Sequence, residues 1–290
     1  PAQGRTMSGG RLRVEGRPIA ETDLASQPGG GDSGDLAAML AAEGLRTARA
    51  SLAALRASGL DSTADAVVCD AEEEDDLRRI AELGAALPGR VIWVGSGGLA
   101  RHLPKALGLR ATTQDLPRLE ARRGPLLILV GSRSAAAREQ ARILCAEPGV
   151  QRFELDPEAL LAGGGSAGWV AAAEGPARAL AEGRDVVLLL AEQPVIDAGA
   201  TRTLAAALGR LAAPLAARAG GLVATGGDTA RAVFMALGAT GMHIAGEVEP
   251  GVPLGFLDTP GRLPLATKAG AFGGPSALSR CRAALRGGKS

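Results

Sequence analysis

The segment PLLILVGSRS, residues 125–134, decides the fold of this chain. The apolar run at 125–130 predicts a strand that is buried on both faces, as in a parallel sheet. Small polar residues at 131–134 then predict a loop, and residues 135–145 show the pattern of a helix. A buried strand, a Gly-Ser loop and a helix in this order form the repeating unit of α/β proteins.

Strand and helix patterns alternate on both sides of this segment. Strands are predicted at residues 11–14, 66–69, 91–94, 150–155, 185–190, 221–225, 242–245 and 263–267. Helices are predicted at residues 35–59, with a possible break at Gly44, and at 72–86, 99–107, 171–182, 201–219, 229–237 and 276–285. Short apolar strands alternating with helices indicate an α/β fold with largely parallel sheets and helices on the faces.

The pattern also predicts two domains. Residues 108–117 are polar and end in a proline, which is typical of a linker, so we expect α/β domains at 1–112 and 113–290. The stretch up to Ser33 is rich in glycine and proline and holds a single strand pattern. Because a domain seldom opens on an unsupported loop of this length, we expect the first domain to be incomplete.

The composition excludes several classes of protein. Of the 290 residues 46% are apolar, which is enough for a core. A net charge of +1, 2% aromatic residues and no tyrosine lead us to expect no nucleic-acid partner. No apolar run approaches the roughly 18 residues of a membrane span, and no signal-peptide pattern opens the chain, so we expect a cytoplasmic protein. Three scattered cysteines and two histidines argue against a zinc site or a disulfide framework.

Three predicted strand-to-helix junctions carry Gly-rich polar loops, at residues 95–98, 131–134 and 226–229. Glycines allow backbone N–H groups to approach a phosphate, and the following helix N-terminus adds positive potential. A fourth Gly-rich stretch, 268–274, begins with Lys268, one of only three lysines, whose ammonium could face a phosphate. The alternatives are ordinary helix caps for the loops and a solvated surface lysine for Lys268.

Other stretches of the sequence match known motifs as well. Residues 95–100 fit the dinucleotide pattern G-x-G-x-x-A after the predicted strand 91–94, with Asp115 or Glu120 near the expected acidic position. This fit keeps an NAD(P)-dependent oxidoreductase open as an alternative. Residues 164–168 match G-x-S-x-G by chance, since no strand precedes them, and the terminal Gly-Lys-Ser at 288–290 is followed by no helix.

Taken together, these motifs resemble the four-carbon acid sugar kinases, ATP-dependent enzymes with two α/β domains. In the first domain the resemblance rests on residues 1–6 (PAQGRT), 70–71 (DA), 76–77 (DL) and 94–100 (VGSGGLA). In the second it rests on residues 131–134 (GSRS) with Gln140, 225–230 (TGGDTA), 246–247 (GE), 250–253 (PGVP) and 268–273 (KAGAFG). Their order and spacing over most of the chain make the resemblance specific.

The resemblance implies transfer of a phosphoryl group from ATP to a hydroxyl of a small sugar acid. It implies that the nucleotide is held by Ser132, Ser134, Gly226, Gly227, Asp228, Thr229, Gly270 and Gly273. On chemical grounds Lys268 could neutralise a phosphate and Asp228 could hold Mg²⁺, although Asp228 is as readily explained as a helix N-cap. Ser96 and Gly97, in the first domain, would face the sugar acid.

One departure from the family affects the first domain. The Asp-Asp-Leu-Thr-Gly-Ala segment that opens it in the family does not occur in this sequence. We therefore name no general base, and we expect nucleotide binding with poor phosphorylation of four-carbon sugar acids. The sheet edge left open leads us to expect a homodimer or aggregation through the first domain. A non-catalytic nucleotide-binding remnant stays open as a further alternative.

Overall fold

The computed structural model describes residues 1–2, 4–22, 34–57, 59–61, 63–109, 117–132, 134–191, 198–270 and 272–287, with the backbone alone at 198–200. The chain divides into two compact units, Pro1–Thr113 and Gln114–Ser290. Each unit is an arrangement of helices and strands with its own apolar core. No helix in the described part of the chain is long and apolar enough to cross a bilayer.

The described residues of the first unit form two small sheets and four α-helices. Its strands are β1 (Arg5–Ser8), β2 (Arg11–Val14), β3 (Arg17–Pro18), β4 (Thr47–Ala50) and β5 (Ala66–Cys69). Its helices are α1 (Leu36–Ala42), α2 (Leu52–Ala57), α3 (Glu74–Ala85) and α4 (Gly97–Ala106). Strands β1, β2 and β3 form an antiparallel sheet, whereas β4 and β5 form a parallel pair. A core of Ala50, Leu55, Ala71 and Ile80 lies beneath α2 and α3.

Two expectations for this unit are wrong. The helix predicted over 35–59 is broken at Gly44, which takes a φ of +87° after α1, as the sequence allowed. The prediction is wrong for the residues that follow, because Thr47–Ala50 form β4 and pair with β5 before α2 begins. The strand predicted at 91–94 is absent: these residues join no ladder in the described structure. Ile92 and Val94 are each 89% exposed, so this apolar run has no sheet to pack into.

The second unit is built on one seven-stranded sheet. Its strands are β6 (Leu126–Val130), β7 (Val150–Leu155), β8 (Asp185–Leu190), β9 (Gly221–Thr225), β10 (Met242–Glu249), β11 (Val252–Leu257) and β12 (Pro264–Lys268). They lie in the order β10-β11-β12-β9-β6-β8-β7. The five strands from β12 to β7 are parallel, and β10 and β11 add an antiparallel hairpin at one edge.

Helices cover both faces of this sheet. They are α5 (Ala135–Cys145), α6 (Pro157–Leu161), α7 (Ala167–Ala181), α8 (Ala198–Ala216), α9 (Gly227–Ala236) and α10 (Ala277–Leu285). One core cluster includes residues of α6, α7, α8 and α9, and the other includes residues of α5 and α10. Strands β6, β8 and β9 are buried throughout, as continuous apolar runs between two helical layers must be.

The α/β fold class is thus confirmed, with three differences in the second unit. The strand predicted at 242–245 continues to Glu249, and its hairpin partner β11 was not predicted. The short helix α6 was also missed; Asp156 caps it and Pro157 occupies its first turn. Strand β11 contains a proline and a glycine, both of which are uncommon in strands, and α6 has only five residues, too few to show a helical period.

Candidate functional site

Three neighbouring parallel strands of the second unit end at the same level. Val130 of β6 pairs with Thr225 of β9, and Thr225 pairs with Lys268 of β12. Because the strands are parallel, the loops that follow these three residues emerge from one edge of the sheet. The carboxyl edge is where ligands bind in open α/β sheets.

The three loops pack against one another without spare room. A Cβ atom at Gly131 would collide with the side chain of Thr229, and one at Gly270 would collide with Ser132. A Cβ atom at Gly226 would lie 3.5 Å from the backbone nitrogen of Ser132. The structure therefore brings the expected loops 131–134, 226–229 and 268–274 into contact, and glycine is required where their backbones approach.

Backbone hydrogen bonds join the loops to the strand ends. The Gly131 N–H donates to the Thr225 carbonyl at 3.3 Å, and the Gly226 N–H donates to the Lys268 carbonyl at 3.0 Å. The Thr225 hydroxyl is fully buried and has no hydrogen-bond partner among the described residues. These contacts hold the glycines in place and leave the first-turn N–H groups of α9 at the sheet edge.

Gly226, and not Asp228, is the N-cap of α9. Gly226 has a φ of +99°, a conformation that L side chains rarely adopt. Asp228 is the second residue of the helix and its side chain is exposed, so the alternative explanation of Asp228 as an N-cap is wrong. Its carboxylate still lies in the first turn, where the helix dipole favours a negative charge.

Two serines shape the loop after β6. The Ser134 hydroxyl caps α5 by accepting the Ala137 N–H at 3.2 Å. The Ser132 hydroxyl donates to Ser134 Oγ at 3.1 Å and accepts the Ser134 N–H at 3.3 Å. Arg133 lies outside the described residues. Both hydroxyls are thus set at the N-terminus of an 11-residue helix, beside Gly270.

The alternative interpretation of Lys268 as a solvated surface lysine is wrong. Only 2% of the residue is exposed, and its Nζ donates to the Gly270 carbonyl at 2.8 Å. Burial lowers the pKa of Lys268 to about 8, against the smaller opposing effects of Cys281 and Glu249. The ammonium is engaged inside the protein, against the turn that follows its own strand.

Gln140 holds the same turn from α5, and its role was not predicted. The side chain is 1% exposed, and Nε2 donates to the carbonyls of Phe272, Gly273 and Gly274 at 3.0–3.1 Å. Gly273 has a φ of +83°, and a Cβ there would collide with Glu249. Ala271 lies outside the described residues. In the sequence, the role of Gln140 was indicated only by its position in the motif that it shares with residues 131–134.

Ser96 and Gly97 lie in the first unit, apart from these loops in the chain. Ser96 is the N-cap of α4 without a side-chain cap bond, and both residues are exposed. The strand that a dinucleotide fingerprint needs before residues 95–100 is absent. Asp115 lies outside the described residues, and Glu120 is exposed and belongs to no strand. The context for NAD(P) binding is therefore missing.

Comparison with known proteins agrees with the two-unit structure. Residues 1–103 match the family model described as a sugar-binding N-terminal domain, and residues 127–278 match the one described as a nucleotide-binding C-terminal domain. Together they describe a protein with a sugar-binding domain followed by a nucleotide-binding domain. The chain belongs to the four-carbon acid sugar kinase family.

Individual relatives place the chain within this family of phosphotransferases. It is 41% identical to the D-threonate kinase of Cupriavidus necator, over 96% of the chain and 70% of that protein. It is 32% identical to the 3-oxo-tetronate kinase of the same organism, over 81% of the chain and 54% of that protein. A solved Salmonella typhimurium structure shares the fold, with a TM-score of 0.68 and 23% identity over 97% of this chain and 70% of that one.

Proposed function

We propose that this chain transfers the γ-phosphoryl group of ATP to a hydroxyl of a four-carbon sugar acid, with D-threonate as the first candidate acceptor. The proposal rests on one observation: the loops that contain Gly131, Gly226 and Gly270 contact one another at the same edge of the sheet. Similarity to a D-threonate kinase along 96% of the chain supports the choice of acceptor.

The nucleotide would lie across the three loops. Gly227 and Thr229 would offer first-turn N–H groups of α9 to phosphate oxygens. Gly226, whose own N–H is bonded to the Lys268 carbonyl, would let the backbone approach the phosphates. Ser132 and Ser134 would add hydroxyls from the N-terminus of α5, and Gly270 and Gly273 would let the third loop approach closely. Phosphoryl transfer depends on positioning and charge neutralisation more than on covalent chemistry, and this arrangement supplies the positioning.

Asp228 would serve the metal that accompanies ATP. It is an exposed carboxylate in the first turn of α9, one residue beyond the Gly226–Gly227 backbone. The described residues contain no cluster of three potential metal-ligating side chains. That finding fits Mg²⁺, which is commonly bound by one or two carboxylates together with phosphate oxygens and water. When bound, Mg²⁺ would offset the negative charge of the phosphates.

The sugar acid would be held by the first unit. Ser96 and Gly97 expose a hydroxyl and a backbone N–H at the N-terminus of the ten-residue helix α4. A carboxylate is a suitable ligand for such a helix end. The match of residues 1–103 to a sugar-binding domain supports this assignment.

A coupled ADP-release assay tests the function. We expect slow but measurable turnover with ATP, Mg²⁺ and D-threonate, in line with the poor phosphorylation expected from the sequence. Turnover should be slower still with D-erythronate and absent with threitol, which has the same carbon chain but no carboxylate. Gly226→Ala should abolish turnover, and Gly241→Ala, whose added methyl meets nothing within 4 Å, should not. Calorimetric binding of NAD with no binding of ATP or ADP would contradict the proposal.

A further inference from the structure

We propose that Gln140 and Lys268 are positioning residues that hold the 270–274 turn in its nucleotide-binding conformation without touching the nucleotide. The inference rests on the proposed nucleotide site. It replaces the direct contact between Lys268 and a phosphate that the sequence suggested, and it gives Gln140 a role.

The side chains of Gln140 and Lys268 reach the turn from the face of the sheet that α5 and α10 cover. Val130, Val223 and Ala266 belong to the core cluster beneath α5 and α10. Since side chains alternate along a strand, Thr225 and Lys268, two residues after Val223 and Ala266, point to that same face. The Lys268 side chain therefore extends into the layer between sheet and helices, where its ammonium meets the Gly270 carbonyl.

Gln140 links the first loop to the third. It lies on α5, the helix whose N-terminus is formed by Ser134. One amide group faces three successive carbonyls, those of residues 272–274, and the side chain is almost completely buried. A displacement of α5 would therefore be transmitted to the turn, and loss of the amide would remove one donor that three carbonyls of the turn share.

Charge balance explains how a buried lysine is tolerated here. Glu249 lies against Gly273, and it forms an ion pair with Arg280 at the rim of the cluster. Lys268 is within the electrostatic reach of Glu249. Glu249 thus forms its ion pair with Arg280, and the Gly270 carbonyl accepts a hydrogen bond from the Lys268 ammonium. An ammonium committed in this way is not presented to a ligand above the loops.

Nucleotides with different numbers of phosphates separate the two roles of Lys268. A lysine that contacts the β- or γ-phosphate should favour ATP and ADP over AMP. A lysine that only sets the turn should affect all three alike. We would measure calorimetric affinities for ATP, ADP and AMP with Mg²⁺ in the wild type, Gln140→Met, Lys268→Met and the double variant.

We expect each single variant to weaken binding of all three nucleotides by a similar factor, about 10-fold. The double variant should lose less than the product of the two single losses, because both side chains act on one turn. Hydrogen exchange should show faster exchange at Phe272–Gly274 in each variant and unchanged protection in β6. Gln140→Asn, too short to reach the turn, replaces Gln140→Met if that variant does not fold.

Asp185→Asn is the matched control for a general loss of stability. Asp185 is fully buried at the start of β8, at the opposite end of the sheet, where it pairs with Arg282 and Arg286. This variant should lower the melting temperature and leave nucleotide affinity unchanged.

Three results would overturn the inference. Loss confined to ATP and ADP would show that Lys268 contacts a phosphate. Unchanged affinities in variants that melt earlier, as expected for Asp185→Asn, would show a structural role alone. A wild-type chain that binds no adenine nucleotide would overturn the proposed function itself, and this inference with it.

Discussion

Gly270 and Ser132 lie so close together that a single methyl group on Gly270 would overlap the Ser132 side chain. Gly270 follows β12 and Ser132 follows β6, two strands that are separated in the sheet by β9. Contact between them means that the outer two loops meet across the middle one. The shape of the candidate site therefore depends on residues from three distant parts of the sequence.

Gly270→Ala should weaken ATP binding by about 10-fold or more, because the added methyl must displace Ser132 or the turn itself. Calorimetry with ATP and Mg²⁺ measures the change. Gly241→Ala is the control, since its methyl enters open space in the same unit. Equal ATP affinity in Gly270→Ala and the wild type would show that the contact between the outer loops does not shape the nucleotide site.

Asp228→Asn should weaken ATP binding by about 10-fold in the presence of Mg²⁺ and leave binding in EDTA unchanged. The reason is that the amide keeps the size of the side chain but is a poor ligand for a hard cation. Thermal stability should fall only slightly, through a loss of about 0.3–1 kcal/mol of helix-dipole interaction.

Glu158→Gln provides the control for Asp228→Asn. It removes an exposed carboxylate from the first turn of α6 in the same unit. It should share the small loss of stability but not the loss of Mg²⁺-dependent affinity. If the two variants bind ATP and Mg²⁺ equally well, Asp228 acts through the helix dipole alone.

The sequence predicts the loops themselves better than the buried side chains that hold them in place. Residues 131–134 and 226–229 were identifiable because small polar residues interrupt strong apolar and helical patterns. The contact between Gln140 and the third loop could not be identified from the sequence, because the carbonyls that Gln140 binds lie 132 to 134 residues further along the chain. The burial of Lys268 was equally hidden, since its register beside Thr225 is a property of the assembled sheet.

The failures in the first unit have a related cause. The apolar run at 91–94 has the composition of a strand, but a strand also needs a partner for its backbone. The pattern over 35–59 predicts helix on both sides of a possible break at Gly44, and the pairing of β4 with β5 prevailed over helix propensity after that break. In both cases tertiary pairing, which a local period does not encode, decided the structure.

Ser134→Ala should cost about 1 kcal/mol of unfolding free energy and also weaken ATP binding. Ser134 caps α5 and contacts Ser132, so its loss affects both the helix and the loop. Ser166→Ala is a matched control, because Ser166 caps α7 by accepting the Trp169 N–H at the same distance of 3.2 Å. Urea unfolding should give similar losses for both variants, and calorimetry should separate them. Equal ATP affinity in the two would remove Ser134 from the nucleotide site.

The titration of Lys268 should be visible in the pH dependence of stability. Burial lowers its pKa from 10.5 to about 8 in the folded chain. Below about pH 8 the folded and unfolded states both carry the proton, and Lys268 adds no slope. Between about pH 8 and 10.5 the unfolded state binds more protons, so the contribution of Lys268 to the free energy of unfolding should rise with pH.

Lys268→Met should remove that contribution. Urea unfolding of both proteins from pH 7 to 10.5 would give the difference in unfolding free energy, wild type minus variant, in which contributions common to both cancel. We expect this difference to be flat below about pH 8 and to increase in favour of the wild type above it. A difference that stays flat up to pH 10.5 would mean that folding does not lower the pKa of Lys268.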